Sequence, residues 1–260
     1  MADYQFLRVK VTNRVGWLEY HRPPINAFTE PMVEEVVSAF KALHADPTVR
    51  VIVFASAVEK YFSVGADMEV FRTMTPEGMT VWVDRVHGLV RLLRGSGKPL
   101  LAAIHGTAVG GGLEMTLHCD VRFCADDAKL GQPEIAIGLI PPIGTTQALA
   151  RLIGRPRAIR YLYDGQLIPA KEALSWGLVD ELVPRDTLRA HVQAYAEGLA
   201  AKPAEALKAI RHTITEGGPL PFRRGLEIER QEVIRLAGTP DFREGVMAFI
   251  EKRKPKFQDT

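Results

Sequence analysis

The stretch His105–Glu114 reads HGTAVGGGLE and carries three consecutive glycines between an apolar run and a helical pattern. The apolar run, Leu100–Ile104, predicts a buried strand, and the spacing that follows predicts a helix over about Leu113–His118. Glycine loses much chain entropy on folding, so three in a row indicate backbone that approaches another group closely. The start of a helix also presents unpaired N–H groups and a positive dipole. The stretch therefore predicts either a donor site for a developing negative oxygen or a tight turn that binds nothing.

A second carboxyl group lies a short distance along the chain. Glu134 ends the segment Gly131–Glu134, which reads GQPE, just after a short strand predicted at Lys129–Leu130. A single glutamate is usually a solvated surface charge. Glu114 and Glu134 become an acid and base pair only if both face one apolar cleft that drives their pKa values apart. Such a pair titrates as a coupled unit.

A third segment, Phe62–Met68, reads FSVGADM and predicts a turn after the strand Val49–Ala55. Its small residues suit a close approach of backbone, and Asp67 can cap a following helix. Ser63 has no Gly-x-Ser-x-Gly elbow around it, so we interpret it as a turn residue rather than a nucleophile.

The wider pattern consists of strand, turn and helix in repeated order. A hairpin is predicted from Gln5–Lys10 and Val15–Tyr20, a helix begins at Thr29, and another helix is predicted near Val81–Leu93. From Arg185 onward only helical patterns remain, and they predict four segments: Leu188–Lys202, Ala204–Glu216, Leu226–Leu236 and Asp241–Arg253. The prediction is a mixed α/β core over residues 1–190 followed by a helical region over residues 191–260.

Composition narrows the function classes. Basic and acidic side chains number 33 and 31, a balance that argues against a nucleic-acid groove and leaves room only for a local phosphate contact. Two cysteines, Cys119 and Cys124, fit free thiols in a reducing compartment. With His118 they lack the ligands and spacing of a zinc site, so no metal is expected. No leader pattern and no membrane-length apolar run occur, which favours a cytoplasmic protein.

At this point the sequence resembles the enoyl-CoA hydratase (crotonase) family. Five segments occur in the family's order over nearly the whole chain: His21–Phe28, Ser63–Met68, Ala108–Glu114, Gly131–Glu134 and Phe249–Arg253. The resemblance implies an α/β fold built as a spiral of ββα turns with a helical C-terminal trimerisation region. It also implies a homotrimer or a homohexamer formed as a dimer of trimers.

The resemblance further implies an acyl-CoA substrate and assigns roles to particular residues. The N–H groups of Ala66 and Gly111 would form an oxyanion hole for the thioester oxygen. Glu114 would activate water and Glu134 would deliver a proton to Cα. No separate cofactor is implied, because coenzyme A is part of the substrate. Substrate or CoA contacts are implied for Arg22, Ala27, Lys60, Asp67, Met68, Phe249 and Lys252, the last two in the same chain or in a neighbouring subunit.

One segment departs from the family pattern. Where the family often has Pro-Gly-Ala-Gly-Gly-Thr, this chain has Pro141–Thr146, which reads PPIGTT. The family glycine at the position of Pro142 can donate its N–H to the catalytic water, and proline has no N–H. We therefore expect water to be positioned differently here.

Several functions remain open from the sequence. The leading hypothesis is reversible hydration of a trans-2-enoyl-CoA to a 3-hydroxyacyl-CoA, because both glutamates are present. Double-bond isomerisation, decarboxylation and thioester hydrolysis are alternatives, given Pro142. A non-catalytic CoA-binding or RNA-binding module is an alternative of another class, although it gives no reason for the glycines beside Glu114. The segment with Met74, Met79, Trp82, Val86 and Leu89 is expected either to line an acyl tunnel or to form plain core.

Overall fold

The computed structural model describes residues 3–258 and shows two β-sheets with helices packed around them. The strands are β1 Leu7–Thr12, β2 Val15–Tyr20, β3 Val51–Ser56, β4 Tyr61–Ser63, β5 Leu100–Ile104, β6 Thr107–Val109, β7 Val121–Ala125, β8 Lys129–Gly131, β9 Leu167–Pro169 and β10 Glu181–Val183. The helices are α1 Glu30–Ala45, α2 Pro76–Arg94, α3 Gly111–Thr116, α4 Thr145–Ile153, α5 Arg155–Asp164, α6 Ala170–Trp176, α7 Leu188–Ala200, α8 Ala204–His212, α9 Phe222–Ala237 and α10 Pro240–Ile250. Short 3-10 turns lie at Met68–Val70 and Glu134–Ile137.

The larger sheet has six strands in the order β1-β2-β3-β5-β7-β10. Only β1 and β2 are antiparallel, and the other neighbours are parallel. Its central strands read as continuous apolar runs and are buried, as expected for parallel strands covered on both faces. Helix α1 contacts β1 and β2, and α7 contacts β2, β3, β5 and β7.

The smaller sheet has four strands in the order β4-β6-β8-β9. In three successive turns of the chain, one strand joins the larger sheet and the next joins the smaller one: β3 then β4, β5 then β6, and β7 then β8. A helical segment follows each pair. This alternation confirms the predicted spiral of ββα turns, and it brings the ends of β4, β6 and β8 side by side.

Local predictions are confirmed in position and corrected at some boundaries. The hairpin is confirmed, with its second strand and the strand Leu100–Ile104 where predicted and its first strand two residues later, at Leu7–Thr12. Helix α1 begins directly after Thr29, although the Thr29 hydroxyl makes no capping bond. Helix α2 begins at Pro76 rather than near Val81, because the Thr75 hydroxyl accepts the Gly78 N–H at 3.1 Å and starts the helix earlier.

The C-terminal region is helical, as predicted. Helix α8 is shorter than the predicted Ala204–Glu216, because the chain passes into one π-helical turn over Thr213–Gly217. The division at residue 190 falls inside α7 and stays a prediction. Among residues 3–258, no helix is both long enough and apolar enough to cross a bilayer.

Candidate active site

The turn after β4 is held against the segment that precedes α1. The Phe28 N–H donates to the Gly65 carbonyl at 2.7 Å, and the Asp67 N–H donates to the Phe28 carbonyl at 2.9 Å. These two bonds leave the N–H of Ala66, between them, pointing elsewhere. Gly65 has φ +85°, and a Cβ there would lie 2.8 Å from the Gly111 nitrogen, so only glycine fits.

The turn after β6 approaches the same place. Gly110 has φ +51° and donates its N–H to the Gly131 carbonyl at 2.9 Å, after which Gly111 opens α3. Helix α3 thus begins inside the glycine run, two residues before the predicted start. Within residues 3–258, neither the Ala66 N–H nor the Gly111 N–H has a hydrogen-bond partner. Two free donors of adjacent turns therefore border one cavity, and both residues line it.

The cavity has a volume of about 120 Å³. Its walls are mainly apolar and aromatic, with Phe28, Phe71, Trp82 and Leu89 among them. Glu114 and Glu134 also line it. The two carboxyl groups that the sequence singled out therefore meet in one apolar space.

Glu114 lies in the first turn of α3 and is 1% exposed. Its Oε2 accepts the Ile143 N–H at 2.7 Å and the Thr145 hydroxyl at 2.5 Å. Its Oε1 is buried and has no partner among the described residues. One oxygen of this carboxyl group is therefore fixed by the protein, and the other is free for chemistry.

Glu134 begins the 3-10 turn after β8 and is 9% exposed. Gln132 is buried, and its hydrogen-bonding surroundings assign the amide nitrogen to the side that faces Glu134. In this orientation the nitrogen donates to Glu134 Oε2 at 3.1 Å and to Oε1 at 3.3 Å. A Cβ on Gly110 would lie 2.8 Å from Glu134 Oε1, so the absence of a side chain at Gly110 makes room for this carboxyl group.

Burial changes the titration of both carboxyl groups. Desolvation, and then the charge of Glu134, raise the pKa of Glu114 to about 8, although the Thr145 and Ile143 hydrogen bonds act in the opposite direction. Desolvation raises the pKa of Glu134 to about 7. At neutral pH the doubly ionised pair is therefore disfavoured, and the pair retains at least one proton over much of the population.

Three other predicted residues are held together at the edge of this site. Arg22 pairs with Asp67 at 3.0 Å and donates to the Ala27 carbonyl at 3.0 Å. The Asp67 carboxylate also accepts the Glu69 N–H at 3.2 Å, which confirms the predicted cap. Met68 lines the cavity and is 54% exposed at its edge.

The remaining predicted contacts lie away from the cavity. Lys60 borders a separate polar depression with His105 and Arg185. Phe249 ends α10 and is 86% exposed, and Lys252 follows it. The structure does not bring these residues to the carboxyl pair within one chain.

The prediction that residues of this segment line an acyl tunnel or form plain core has a different outcome for different residues. Trp82, Val86 and Leu89 line the cavity, whereas Met74 and Met79 are partly buried and pack against the core instead. Ser63 is fully buried, and its hydroxyl donates to the Asn26 carbonyl at 2.7 Å and accepts the Gly65 N–H at 3.1 Å, which fits a turn residue.

Two residues at the site were not predicted from the sequence: Gln132 and Thr145. Gln132 stands in the quoted segment Gly131–Glu134, and its type alone suggested no partner. Thr145 stands where the family pattern has glycine, in the same segment in which Pro142 replaces another family glycine. This second replacement could have identified Thr145 from the sequence.

Comparisons with known proteins agree with this geometry. Residues 10–260 match the family model described as enoyl-CoA hydratase/isomerase. A probable enoyl-CoA hydratase of Bacillus subtilis is 35% identical over 97% of this chain and 98% of its own length. A crotonyl-CoA hydratase of Syntrophomonas wolfei is 31% identical over 98% of each. The crystal structure of an enoyl-CoA hydratase from Bacillus anthracis, 32% identical, superposes with a TM-score of 0.94 over 98% of this chain and 100% of that one.

Proposed function

This chain belongs to the enoyl-CoA hydratase/isomerase family, and on that premise we propose that it hydrates trans-2-enoyl-CoA thioesters. The product is the 3-hydroxyacyl-CoA, and the reaction is reversible. The observation that carries the proposal is the meeting of two raised-pKa carboxyl groups and two unpartnered N–H donors around one apolar cavity.

In the proposed reaction the thioester oxygen accepts the N–H groups of Ala66 and Gly111. Glu114 Oε1 removes a proton from water while the water oxygen bonds to Cβ. The electrons of the double bond move through Cα to the thioester oxygen, where the two donors stabilise the enolate. Glu134 then gives its proton to Cα on the same face. The product leaves with both elements of water, and the net proton count of the pair is unchanged.

The hydrogen bonds support this division of roles. Two donors on Glu114 Oε2 favour the ionised form of Glu114, which a base requires. Desolvation raises the pKa of Glu134 to about 7, so Glu134 can hold the proton that an acid requires near neutral pH. The pKa of Glu114 is raised further, to about 8, so the resting pair holds its proton mainly on Glu114, and hydration requires the form of the pair in which the proton lies on Glu134. Because the two groups share one cavity, the single proton belongs to the pair.

We test the proposal by following the loss of enoyl absorbance when the purified protein is mixed with crotonyl-CoA. Longer and aromatic enoyl-CoAs extend the panel. Turnover of at least one of them, dependent on both glutamates, is the expected result. No turnover with any acyl chain would refute the proposal.

Pro142 gives one specific reason to carry isomerisation as a second candidate. It lines the cavity wall and has no N–H with which to position water. Moving a double bond needs a single glutamate to shuttle the proton. In that case Glu114→Gln should be tolerated and Glu134→Gln should not, whereas hydration should need both.

We extend the proposal to the CoA end of the substrate. Met68 lines the cavity at its exposed edge, and the Arg22–Asp67 ion pair lies next to it through the adjacent residue Asp67, which suits contact with the pantetheine arm. We assign Lys60, Phe249 and Lys252 to the nucleotide end. No metal or separate cofactor enters the proposed reaction, because the two glutamates carry both proton transfers. Activity should therefore survive dialysis against EDTA.

Assembly into trimers, or into hexamers formed from two trimers, is also part of the proposal. Large apolar side chains are exposed on the C-terminal helices, among them Phe222, Val233, Ile234 and Phe249. A surface of this kind favours burial against other copies. Analytical ultracentrifugation tests it, and a monomer at all concentrations would refute it.

A further inference from the structure

Thr145 opens α4, and its side chain is fully buried. Its hydroxyl donates to Glu114 Oε2 at 2.5 Å, and the Ile143 N–H donates to the same oxygen at 2.7 Å. A main-chain N–H can only donate, so Oε2 must act as an acceptor in this arrangement. Oε1 has no partner among the described residues, so it is the oxygen that is open to take up a proton.

Two nearby histidines contact main-chain carbonyls, whereas the buried Tyr20 hydroxyl and Trp82 indole N–H, which line the same cavity, have no hydrogen-bond partner among the described residues. From α2, His87 contacts the Pro142 carbonyl at 3.0 Å, and from α3, His118 contacts the Ile143 carbonyl at 2.7 Å. Burial lowers the pKa of His118 to about 4, so it is neutral at physiological pH. Glu134 faces Glu114 as a second carboxyl group and repels its charge. Among the described residues, only Ile143 and Thr145 donate hydrogen bonds to the Glu114 carboxyl group.

We propose that Thr145 is a positioning residue that fixes Glu114 through Oε2 and thereby presents Oε1 to the water that adds to the substrate. The inference rests on the proposed hydratase function. In the family pattern described above, a glycine stands at position 145 and another at position 142. Here the glycine N–H at 142 is lost to proline and a hydroxyl is gained at 145. This chain therefore lacks the main-chain N–H that would hold the water at position 142, and it has instead a hydroxyl at position 145 that holds the base, Glu114.

The arrangement has a direct energetic consequence. Hydrogen bonds to an ionised group are stronger than those between neutral groups, and the Thr145 hydroxyl and Glu114 Oε2 make theirs where both residues are shielded from bulk solvent. Removing the Thr145 hydroxyl should raise the pKa of Glu114 further and let its carboxyl group rotate away from the reacting geometry. Substrate binding should change little, since the hydroxyl contacts Glu114 rather than the substrate.

The test compares wild type with Thr145→Val, Thr145→Ser and Thr145→Ala. Thr146→Val is the matched control, because it makes the same chemical change at the next residue, whose hydroxyl does not contact Glu114. Two quantities are measured: kcat and KM for an enoyl-CoA as functions of pH, and the titration of the Glu114 side-chain carboxyl by ¹³C NMR. Glu114→Gln identifies the NMR signal.

For Thr145→Val we expect kcat to fall about tenfold or more, KM to change by less than about threefold, and both the NMR titration and the acidic limb of the rate profile to move to higher pH. Thr145→Ser should restore all of these, and Thr146→Val should match wild type. If the valine variant does not fold, Thr145→Ala gives the same comparison.

Two results would overturn the inference. One is an unchanged Glu114 titration in Thr145→Val or Thr145→Ala. The other is a serine variant as impaired as the valine variant, which would mean that the threonine methyl packs rather than that its hydroxyl positions Glu114. If wild type hydrates no enoyl-CoA, the proposed function fails, and the NMR titration still decides the role of Thr145.

Discussion

The two ends of the proposed acyl-CoA site differ in how much of each a single chain supplies. At the acyl end, Glu114 is 1% exposed and bonded to groups 29 and 31 residues away. At the CoA end, Phe249 is 86% exposed, at the end of a helix that presents further apolar side chains to solvent. One chain therefore supplies all the groups of the proposed reaction and leaves the proposed nucleotide end open. Catalysis and nucleotide binding should respond to mutation separately.

The acyl end should show the largest effect. Changing either Glu114 or Glu134 to glutamine removes one proton transfer, and kcat for crotonyl-CoA hydration should fall about 10²–10⁴-fold. Glu172→Gln is the control, since this exposed carboxyl group on α6 does not line the cavity. Comparable losses of kcat in Glu114→Gln, Glu134→Gln and Glu172→Gln would contradict this prediction, because the loss would then not be specific to the carboxyl groups of the acyl end.

The next effect concerns the close approach of the two turns. In Gly65→Ala the new Cβ would lie 2.8 Å from the Gly111 nitrogen, so the turns must separate and the two donors must diverge. We expect kcat to fall about 10²–10³-fold. Gly177→Ala is the matched control, because it has a similar φ of +76° and open space around it. Equal kcat losses in both variants would show that backbone strain alone is responsible.

The buried pair should also be visible in stability. The pKa of Glu114 is about 8 in the folded protein and 4.5 for an unperturbed group, so the folded state retains a proton that the unfolded chain releases between these values. The free energy of unfolding should therefore fall as pH rises from about 5 to 8. Glu114→Gln removes the part of this dependence that comes from Glu114 and leaves the smaller part from Glu134. The variant should be more stable than wild type by about 2–4 kcal/mol at pH 8, with little difference at pH 5.

Thermal unfolding at a series of pH values measures that difference. The expected gap in Tm is roughly 5–10 °C at pH 8. Glu172→Gln serves again as the control and should follow wild type at every pH. A gap that stays constant from pH 5 to pH 8 would contradict the raised pKa.

The smallest effect is expected at the CoA end. Lys252→Ala should raise KM for crotonyl-CoA by about tenfold, the worth of one charge-assisted hydrogen bond to phosphate, and leave kcat almost unchanged. A crotonyl thioester that lacks the nucleotide should show no difference between the variants. Lys254→Ala is the control at a nearby exposed lysine. A fall in kcat without a rise in KM would contradict the prediction, because it would mean that Lys252 affects the reaction at the acyl end rather than nucleotide binding.

The fold could be predicted well from local patterns. The strand Leu100–Ile104 and the hairpin were placed correctly, because continuous apolar runs and turn residues depend on near neighbours in the sequence. The start of α2 was missed by five residues, because Thr75 and Pro76 precede the apolar repeat on which the prediction relied. The prediction was therefore right that this segment is a helix and wrong about the residue at which the helix begins, because it did not use the capping residue Thr75.

The sequence was sufficient to predict which residues form the candidate site, but it was not sufficient to predict which of them are in contact. The sequence indicated Glu114, Glu134 and the glycine turns, yet it contained no measure of their distance. Their meeting depends on β4, β6 and β8 lying side by side in the smaller sheet. The hydroxyl of Thr145 could be weighed only once α4 was seen to begin against Glu114.

The alternation of strands between the two sheets has a consequence for how such a protein diversifies. The proposed reacting groups come from segments that follow β4, β6 and β8, whereas Trp82, Val86 and Leu89 on α2 supply much of the apolar wall. Substitutions on α2 can therefore reshape the space for the acyl chain and leave the reacting groups in place. Selection can change which thioester is accepted without rebuilding the machinery that acts on it.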